Sequence, residues 1–388
     1  MKSLNASILA IQPSATLAIA ALAKQLAQQG HKVCNFSAGE PDFDTPDLIK
    51  EAAVDALRQG QTKYTPVNGI PRLCELIAAK LKRENGLDYK PSQIVVSCGA
   101  KHSLALVLQT LVNPGDEVLI PSPYWLSYPE MVRVAGGVPV FVAGRRENDF
   151  RIAPDDVVRA ITPRTVALLI NSPSNPTGTM YTPAELRALG DVAVSRGLTI
   201  VSDEIYEKLV YEGNQQASMA SFSPAHYANT ITINGFSKAY AMTGWRLGYL
   251  TAPLWLSKKI NALQSHLTSN PTTFAQYGAL KALACGKEEV YRMRDSFATR
   301  RDLIYNLVSE IPKVKSIRPQ GAFYLFCDIS ACGLKSGEFC DRLLEEEKLV
   351  AIPGDAFGAD NCLRLSYACS EENIRKAVSR LKNFCSKF

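Results

Sequence analysis

The chain has 388 residues, of which 46% are hydrophobic and 21% charged, a composition typical of a folded globular protein rather than a disordered or fibrous one. Its 43 basic and 37 acidic side chains give a net charge of +6 without a polybasic run, which argues against nucleic acid or a membrane surface as a partner. Because no run of about 18 apolar residues and no secretory signal occurs, we expect a cytoplasmic protein without a membrane span.

The ten cysteines and four histidines indicate neither a disulfide framework nor a metal site. No Cys-x-x-Cys pair is present, and the histidines never stand four residues apart. We therefore expect reduced thiols that pack as small apolar side chains, no bound metal, and a general base other than histidine.

Between residues 92 and 252 the sequence alternates short β-branched runs with segments of helical period. The pattern predicts helices over 104–111, from Pro154 and from Pro183, and strands over 93–96, 117–120, 138–142, 166–170, 198–202, 230–233 and 247–250. Thr182 and Glu185 have the spacing of a capping box. Apolar runs separated by helices predict strands buried on both faces of a mostly parallel sheet, in a large α/β domain.

After about residue 286 the pattern changes to that of a smaller α+β domain. A long charged helix passes through Arg301 and Leu307, and it is followed by a strand over 322–326, a helix over 337–347 and a closing strand over 362–366.

Polar side chains follow the carboxyl ends of the predicted strands, where α/β sheets bind their ligands. These residues are Gly99-Ala100-Lys101, Tyr124-Trp125, Asn175, Asp203 with Tyr206, and Ser237-Lys238 with Arg246. Each has an ordinary structural explanation when taken alone, as a turn, a helix cap, a core side chain or a solvated lysine. Together they provide a phosphate cradle, an aromatic ring, a carboxylate, a phenol, a lysine and an arginine at one edge.

Pyridoxal phosphate fits this set of groups. Its aldehyde forms a Schiff base with a lysine amine, its ring nitrogen needs a carboxylate, and its phosphate needs cations and backbone N–H donors. Lys238, Asp203 and Arg246 supply these three groups.

Over nearly its whole length the sequence resembles the class I aminotransferases of fold-type I, and among them the prokaryotic-type aspartate aminotransferases, some of which accept prephenate. The motifs that carry this resemblance are Pro13-Ser14-Ala15-Thr16, Ser37-Ala38-Gly39-Glu40-Pro41-Asp42-Phe43, Tyr64-Thr65-Pro66, Pro123-Tyr124-Trp125, Asn175-Pro176-Thr177-Gly178, Asp203-Glu204-Ile205-Tyr206, Ser237-Lys238, Thr243-Gly244-Trp245-Arg246-Leu247-Gly248-Tyr249 and Arg364-Leu365-Ser366. The resemblance implies a large cofactor domain over residues 48–290, and a small domain over 1–47 and 291–388 that closes on it.

The resemblance also implies roles around the cofactor. Lys238 would form the Schiff base and carry the proton, Asp203 would pair with the ring nitrogen, and Trp125 would stack on the ring. The phenolic oxygen would be bound by Asn175 and Tyr206, and the phosphate by Arg246, Ser237 and the segment Gly99-Ala100-Lys101. A tyrosine that matches Tyr64 reaches the phosphate of the neighbouring subunit in the family, which implies a homodimer.

For the substrate, Arg364 matches the arginine that binds the α-carboxylate, aided by Gly39, Asn175 and Trp125. The segment Ser265–Pro271 lacks the arginine with which the animal and enteric enzymes bind the second carboxylate. Lys101, Ser14 and Thr16 match the positions that replace it in the prokaryotic type. Gly235 stands where some relatives have a phosphate-binding serine, which leaves Ser237 or backbone groups to complete the cradle.

The resulting hypothesis is ping-pong transamination of L-aspartate with 2-oxoglutarate, with prephenate as a further substrate left open. Aromatic or alanine aminotransferases and carbon–sulfur β-lyases share the same cofactor residues and stay as alternatives. A regulator built on this fold would need an added DNA-binding domain, of which there is no sign, and no Gly-x-Gly-x-x-Gly of a nicotinamide dehydrogenase follows a strand.

Overall fold

The largest element of the structure is a seven-stranded sheet. The computed structural model describes residues 6–9, 11–285 and 287–388. The strands of all sheets in the described chain, in order, are β1 Cys34–Asn35, β2 Ile94–Ser97, β3 Glu117–Ser122, β4 Val138–Ala143, β5 Thr165–Asn171, β6 Thr199–Asp203, β7 Thr230–Gly235, β8 Gly248–Thr251, β9 Lys315–Ser316, β10 Tyr324–Asp328, β11 Leu349–Val350, β12 Ile352–Pro353 and β13 Cys362–Ser366.

The helices pack on both faces of this sheet and around the C-terminal strands. They are α1 Ala6–Leu9, α2 Ala15–Gln28, α3 Asp47–Arg58, α4 Pro71–Asn85, α5 Ala100–Leu111, α6 Ser127–Val134, α7 Pro154–Ala160, α8 Pro183–Ser195, α9 Pro224–Asn229, α10 Leu254–Leu267, α11 Thr273–Cys285, α12 Lys287–Ser309, α13 Ser336–Glu347 and α14 Glu371–Cys385. None of the helices in the described part of the chain is long and apolar enough to cross a membrane.

The seven strands follow the order β2-β8-β7-β6-β5-β3-β4, and only β8 runs antiparallel to its neighbours. The predicted mostly parallel sheet is therefore confirmed, and all seven predicted strands are present. Because β2, β3, β5, β6 and β7 point the same way, their carboxyl ends lie at one edge. All six residues of β7 are buried, as expected for a central strand covered on both faces.

The predicted capping box also forms, because the Thr182 hydroxyl accepts from the Glu185 N–H (3.2 Å) and the Glu185 carboxylate accepts from the Thr182 N–H (2.7 Å). Several predicted boundaries differ from the observed ones; for example, the helix predicted over 104–111 already begins at Ala100. The strand expected at residue 322 begins at Tyr324, since Ala322 has φ +57° and leaves the extended conformation.

A four-stranded antiparallel sheet, β12-β13-β10-β9, is formed by the C-terminal part of the chain. The N-terminal strand β1 pairs with β11, and the Ser366 N–H donates to the Phe36 carbonyl (2.9 Å). Residues near 35 are thereby fastened to residues near 350 and 366, far from them in sequence. The domain limits given above, 48–290 with 1–47 and 291–388, stay a prediction.

The nine cysteines whose side chains the structure describes form no disulfide, and seven of them are buried. Their packing agrees with the prediction that they act as small apolar side chains. No cluster of His, Cys, Asp and Glu suited to a metal ion occurs among the described residues.

Candidate active site

A cleft of about 480 Å³ opens at the edge where the parallel strands end. It is lined by thirteen of the fifteen predicted site residues: Ser14, Thr16, Gly39, Ala100, Lys101, Trp125, Asn175, Asp203, Tyr206, Ser237, Lys238, Arg246 and Arg364. Gly99, the fourteenth, packs closely against the Arg246 guanidinium. Tyr64 lies outside the cleft with 89% of its surface exposed, so this chain does not bring it to its own site.

Lys238 follows β7 and reaches into the cleft. Its ammonium donates to the Gly39 carbonyl and lies 6.0 Å from the centre of the Tyr206 ring. Burial lowers the pKa of Lys238 to about 8, an effect that nearby Glu40 opposes and Arg364 and Arg246 reinforce. An amine with this pKa is partly neutral near neutral pH, as a proton-transferring base must be.

Asp203 is 3% exposed and lies at the end of β6. Its carboxylate accepts from the Tyr128 hydroxyl (2.7 Å) and from the Ile205 N–H (3.2 Å). Among the described side chains no lysine, arginine or histidine forms an ion pair with it. Burial raises the pKa of Asp203 from its usual 3.8 to about 6. Because burial makes the negative charge of this carboxylate unfavourable, a cationic ring nitrogen would be a suitable partner for it.

Arg364 on β13 is a buried cation, only 2% exposed. Its two terminal nitrogens donate to the Asn175 side-chain carbonyl (3.0 Å) and the Ser37 carbonyl (2.8 Å), while its Nε has no partner. The guanidinium lies between the rings of Tyr324 and Phe357, 4.4 and 5.1 Å from their centres. Arg364 is therefore not a solvent-exposed strand residue.

No carboxylate of the described residues pairs with this guanidinium, and burial lowers the pKa of Arg364. Its partners are neutral oxygens, so its charge is hydrogen-bonded but not neutralised. An anion is the ligand that such a group accommodates, and a carboxylate matches a guanidinium with two parallel hydrogen bonds.

The phosphate cradle depends on close backbone contacts at the start of α5. A Cβ at Gly99, which has φ +96°, would lie 2.7 Å from an Arg246 terminal nitrogen, and a Cβ at Gly248 would lie 2.4 Å from the Ala100 nitrogen. The first-turn N–H groups of α5 therefore lie beside the Arg246 guanidinium. Arg246 itself has φ +51° and donates to the Thr243 carbonyl (2.7 Å).

Gly235 explains why a serine is absent from this cradle. A Cβ there would lie 2.9 Å from the Gly248 Cα, so the strand pair β7–β8 leaves no room for a larger side chain. Ser237 lines the cleft two residues later and can supply the hydroxyl instead.

Ser14 is the N-cap residue of α2 and Thr16 lies in its first turn; both line the cleft, and their hydroxyls lie 3.0 Å apart. The Lys101 ammonium lies 4.9 Å from the centre of the Trp125 ring. Burial, with the charge of Arg246, lowers the pKa of Lys101. The cleft lining therefore includes a second cation and two hydroxyls besides the groups described above.

Half of the 26 residues that line the cleft were not predicted from the sequence, among them Glu40, Tyr128, Thr243 and Tyr324. Tyr128 stands three residues after Trp125, in the first turn of α6, and the centres of the two rings lie 5.2 Å apart. Tyr324 donates to or accepts from the Tyr206 hydroxyl at 2.9 Å. The helical spacing could have indicated Tyr128, whereas Tyr324 lies in a run that predicted only a strand.

These features define a fold-type I enzyme of the kind that binds pyridoxal phosphate. The buried Asp203, the unneutralised Arg364 and the glycine-lined cradle fit the ring nitrogen, a carboxylate ligand and the phosphate respectively.

Residues 31–381 match the family model of "Aminotransferase class I and II", and the chain belongs to this family. It is 49% identical to an aspartate aminotransferase of Geobacillus stearothermophilus over 97% of both chains. It is also 49% identical to a probable aspartate/prephenate aminotransferase of Aquifex aeolicus over 98% of both. The structure of an aspartate aminotransferase from Thermus thermophilus with maleate superposes with a TM-score of 0.95 at 45% identity, covering 99% of this chain and 100% of that one. The predicted family, fold class and cofactor are thereby confirmed; the roles of individual residues stay predictions.

We expect Gly248→Ala to weaken cofactor binding at least about tenfold, because the new methyl group would push the start of α5 away from Arg246. A Cβ at Gly244, in the same segment, meets nothing within 4 Å, so Gly244→Ala is the matched control. Absorbance titration of the cofactor-free proteins with pyridoxal phosphate measures the difference. Equal dissociation constants for the two variants would contradict this account of the cradle.

Asp203 predicts a specific dependence of stability on pH. Because its pKa is about 6 in the folded chain and 3.8 ordinarily, the folded state binds this proton more tightly. The protonated Asp203 carboxyl therefore stabilises the folded state below about pH 4, and this stabilisation is lost as the pH rises through 6. In cofactor-free protein at about pH 8, Asp203→Asn should therefore raise the free energy of unfolding by roughly 1–3 kcal/mol over the parent chain.

Chemical denaturation at about pH 8 and about pH 4 checks this expectation, since the advantage of Asp203→Asn should shrink at the lower pH. Asp341→Asn, at an exposed position on α13, is the control and should show no such change. A constant difference between Asp203→Asn and the parent chain at both pH values would refute the burial argument.

Proposed function

We propose that this chain transfers the amino group of L-aspartate to 2-oxoglutarate, giving oxaloacetate and L-glutamate in two half-reactions. The observation that carries the proposal is Arg364, a buried guanidinium in the lining of the cleft with which no acidic side chain of the described residues pairs. Support for the substrate comes from relatives named aspartate aminotransferase that are 49% identical over 97% of this chain.

The cofactor would be held by groups at the ends of five strands, β2, β3, β5, β6 and β7. Asp203 pairs with the ring nitrogen and is itself held by Tyr128, while Asn175 and Tyr206 hydrogen-bond the phenolic oxygen. Trp125 stacks on the ring. The phosphate takes the Arg246 guanidinium, the Ser237 hydroxyl and the N–H groups of Gly99-Ala100-Lys101. When bound, pyridoxal phosphate supplies an aromatic ring that withdraws the electrons left after the substrate Cα–H bond breaks.

Lys238 moves the proton in this mechanism. Its Nζ would take the proton from the substrate Cα and hold it for delivery to a different carbon, because returning it to Cα would only regenerate the substrate. Burial supports this role by lowering the pKa of the Lys238 amine to about 8, so that a useful fraction is neutral. The Arg364 and Arg246 guanidinium groups favour the neutral amine further.

The substrate is oriented by its two carboxylates. Arg364 binds the α-carboxylate with two parallel hydrogen bonds, helped by Asn175 and the backbone of Gly39. Lys101 with the hydroxyls of Ser14 and Thr16 binds the side-chain carboxylate, and the ring of Trp125 closes this part of the cleft. A guanidinium at one end and an ammonium at the other favour a dicarboxylate over an apolar amino acid.

Absorbance of the purified, cofactor-loaded protein tests the proposal. Aspartate added without an acceptor should change the visible band, and the rate should exceed those with alanine, phenylalanine and cystathionine at least about tenfold. Lys238→Ala should slow this change by at least about 10³, because no amine is left to move the proton. Lys382→Ala, an exposed lysine of α14, is the control that should react like the parent chain.

A protein that gains no visible band from added cofactor would contradict the cofactor assignment. A visible band that responds to phenylalanine or cystathionine but not to aspartate would instead favour an aromatic aminotransferase or a carbon–sulfur β-lyase.

Prephenate is a second candidate acceptor. Relatives from Aquifex aeolicus and Cereibacter sphaeroides, 49% and 45% identical, have names that include prephenate. Prephenate is a 2-oxo acid with a second carboxylate, so it presents the same two charges to Arg364 and Lys101. The same assay, run with prephenate after the aspartate half-reaction, measures this use.

We also propose a homodimer, in a cytoplasmic setting, in which Tyr64 reaches the phosphate site of the partner subunit. The exposure of Tyr64, 89% in the single chain, supports this arrangement, since a tyrosine this exposed has no packing role within its own chain. Sedimentation of the loaded protein at micromolar concentration should give the mass of two chains. A monomer with full activity would contradict the proposed dimer.

A further inference from the structure

Glu40 lies on the rim of the cleft and makes a contact that none of the roles above uses. Its carboxylate accepts a hydrogen bond from the Thr243 hydroxyl at 2.7 Å, across 203 positions of sequence. Among the described residues no lysine or arginine forms an ion pair with it. The hydrogen bond therefore joins two separate backbone segments rather than neutralising a nearby cation.

One of the two segments that meet here, residues 238–246, carries two cations of the site, Lys238 and Arg246. Thr243 is three residues before Arg246, and its carbonyl accepts from the Arg246 guanidinium at 2.7 Å. On the other side of the contact, the carbonyl of Gly39 accepts from the Lys238 ammonium. Two consecutive residues, Gly39 and Glu40, thus contact the segment 238–246 at two points, at Lys238 and at Thr243.

From this geometry we propose that Glu40 is a positioning residue, which through Thr243 holds the Gly39 carbonyl against the Lys238 ammonium and keeps that amine protonated. This inference rests on the role proposed for Lys238. The amine can neither accept a proton nor attack an aldehyde while it donates to Gly39 as an ammonium. The contact therefore belongs to the cofactor-free chain, and Lys238 must leave it before the amine can react.

The charges around Lys238 agree with this assignment. Burial lowers its pKa, and of the charged groups that face it Glu40 has the largest effect, raising the pKa. Arg364 and Arg246 lower it, and Asp203 raises it less than Glu40 does. The remaining neighbours are the rings of Tyr206 and Phe323, whose centres lie about 6 Å away and which carry no charge. Removing the Glu40 charge should therefore increase the neutral fraction of the amine.

The test measures the ionisation of Lys238 in the full chain freed of cofactor. An amine-reactive ester is applied from about pH 6 to about pH 10, and labelling of the Lys238 peptide is followed by mass spectrometry. We expect Glu40→Gln to lower the pH of half-maximal labelling, and to increase the rate at about pH 7 by roughly threefold to tenfold. The exposed Lys382 serves as an internal reference in every sample.

Thr243→Val separates positioning from charge, because it removes the hydroxyl donor without removing the carboxylate. It should lower the same midpoint, though less than Glu40→Gln does, and Thr243→Ser should behave like the parent chain. The double variant Glu40→Gln/Thr243→Val should match Glu40→Gln alone, since both changes act on one contact.

An unchanged midpoint in Glu40→Gln would overturn the proposal. So would a shift in Glu40→Gln with none in Thr243→Val, which would assign Glu40 a purely electrostatic effect. Thermal melting of each variant shows whether it is folded, and Thr243→Ser supplies a folded comparison if Thr243→Val is destabilised. The aspartate response of the loaded protein is read separately, so a failure of the transaminase assignment is distinguishable from a failure of this one.

Discussion

The removal of charged groups from water at one edge of the sheet is the constraint on which this site depends. Asp203 and Arg364 are almost fully buried, yet neither has an oppositely charged partner among the described residues, and each is held by neutral hydrogen-bonding groups. Burial of a charge without a counter-charge costs several kcal/mol in proteins. The fold accepts that cost at this edge, where a ligand with a cationic ring nitrogen and an anionic carboxylate offsets both charges.

Rigid backbone contacts make this arrangement of charges specific. Gly99, Gly235 and Gly248 bring β7, β8 and the start of α5 so close together that a single Cβ would collide with backbone or with Arg246. The left-handed conformation of Arg246 is held in the same place by its bond to Thr243. Since the phosphate donors are backbone N–H groups, their direction is set by the chain and not by side-chain rotamers, which favours binding without a further loss of entropy.

The sequence was sufficient to predict the parallel sheet and most of the cleft. β-branched runs and helical periods are local signals, and the carboxyl ends of parallel strands must share an edge, so Asp203, Lys238 and Asn175 could be brought together in advance. Pairings between distant segments have no such signal. The contacts of Glu40 with Thr243 and of Tyr206 with Tyr324 join positions 203 and 118 residues apart, and each depends on how the N- and C-terminal parts dock.

Arg364 shows most clearly why the remaining information lies in the tertiary structure. On its own strand it is one residue of an apolar run, and a period-2 pattern cannot say whether the side chain meets solvent or a neighbouring segment. In the folded chain its guanidinium contacts Ser37 from the N-terminal segment and Asn175 from the loop after β5. Both partners are neutral oxygens, and a carboxylate is a stronger hydrogen-bond acceptor than either for a buried guanidinium. An anion that binds Arg364 therefore competes with its hydrogen bonds to Ser37 and Asn175. Binding of the anion thus changes one of the contacts between the N-terminal segment and β13.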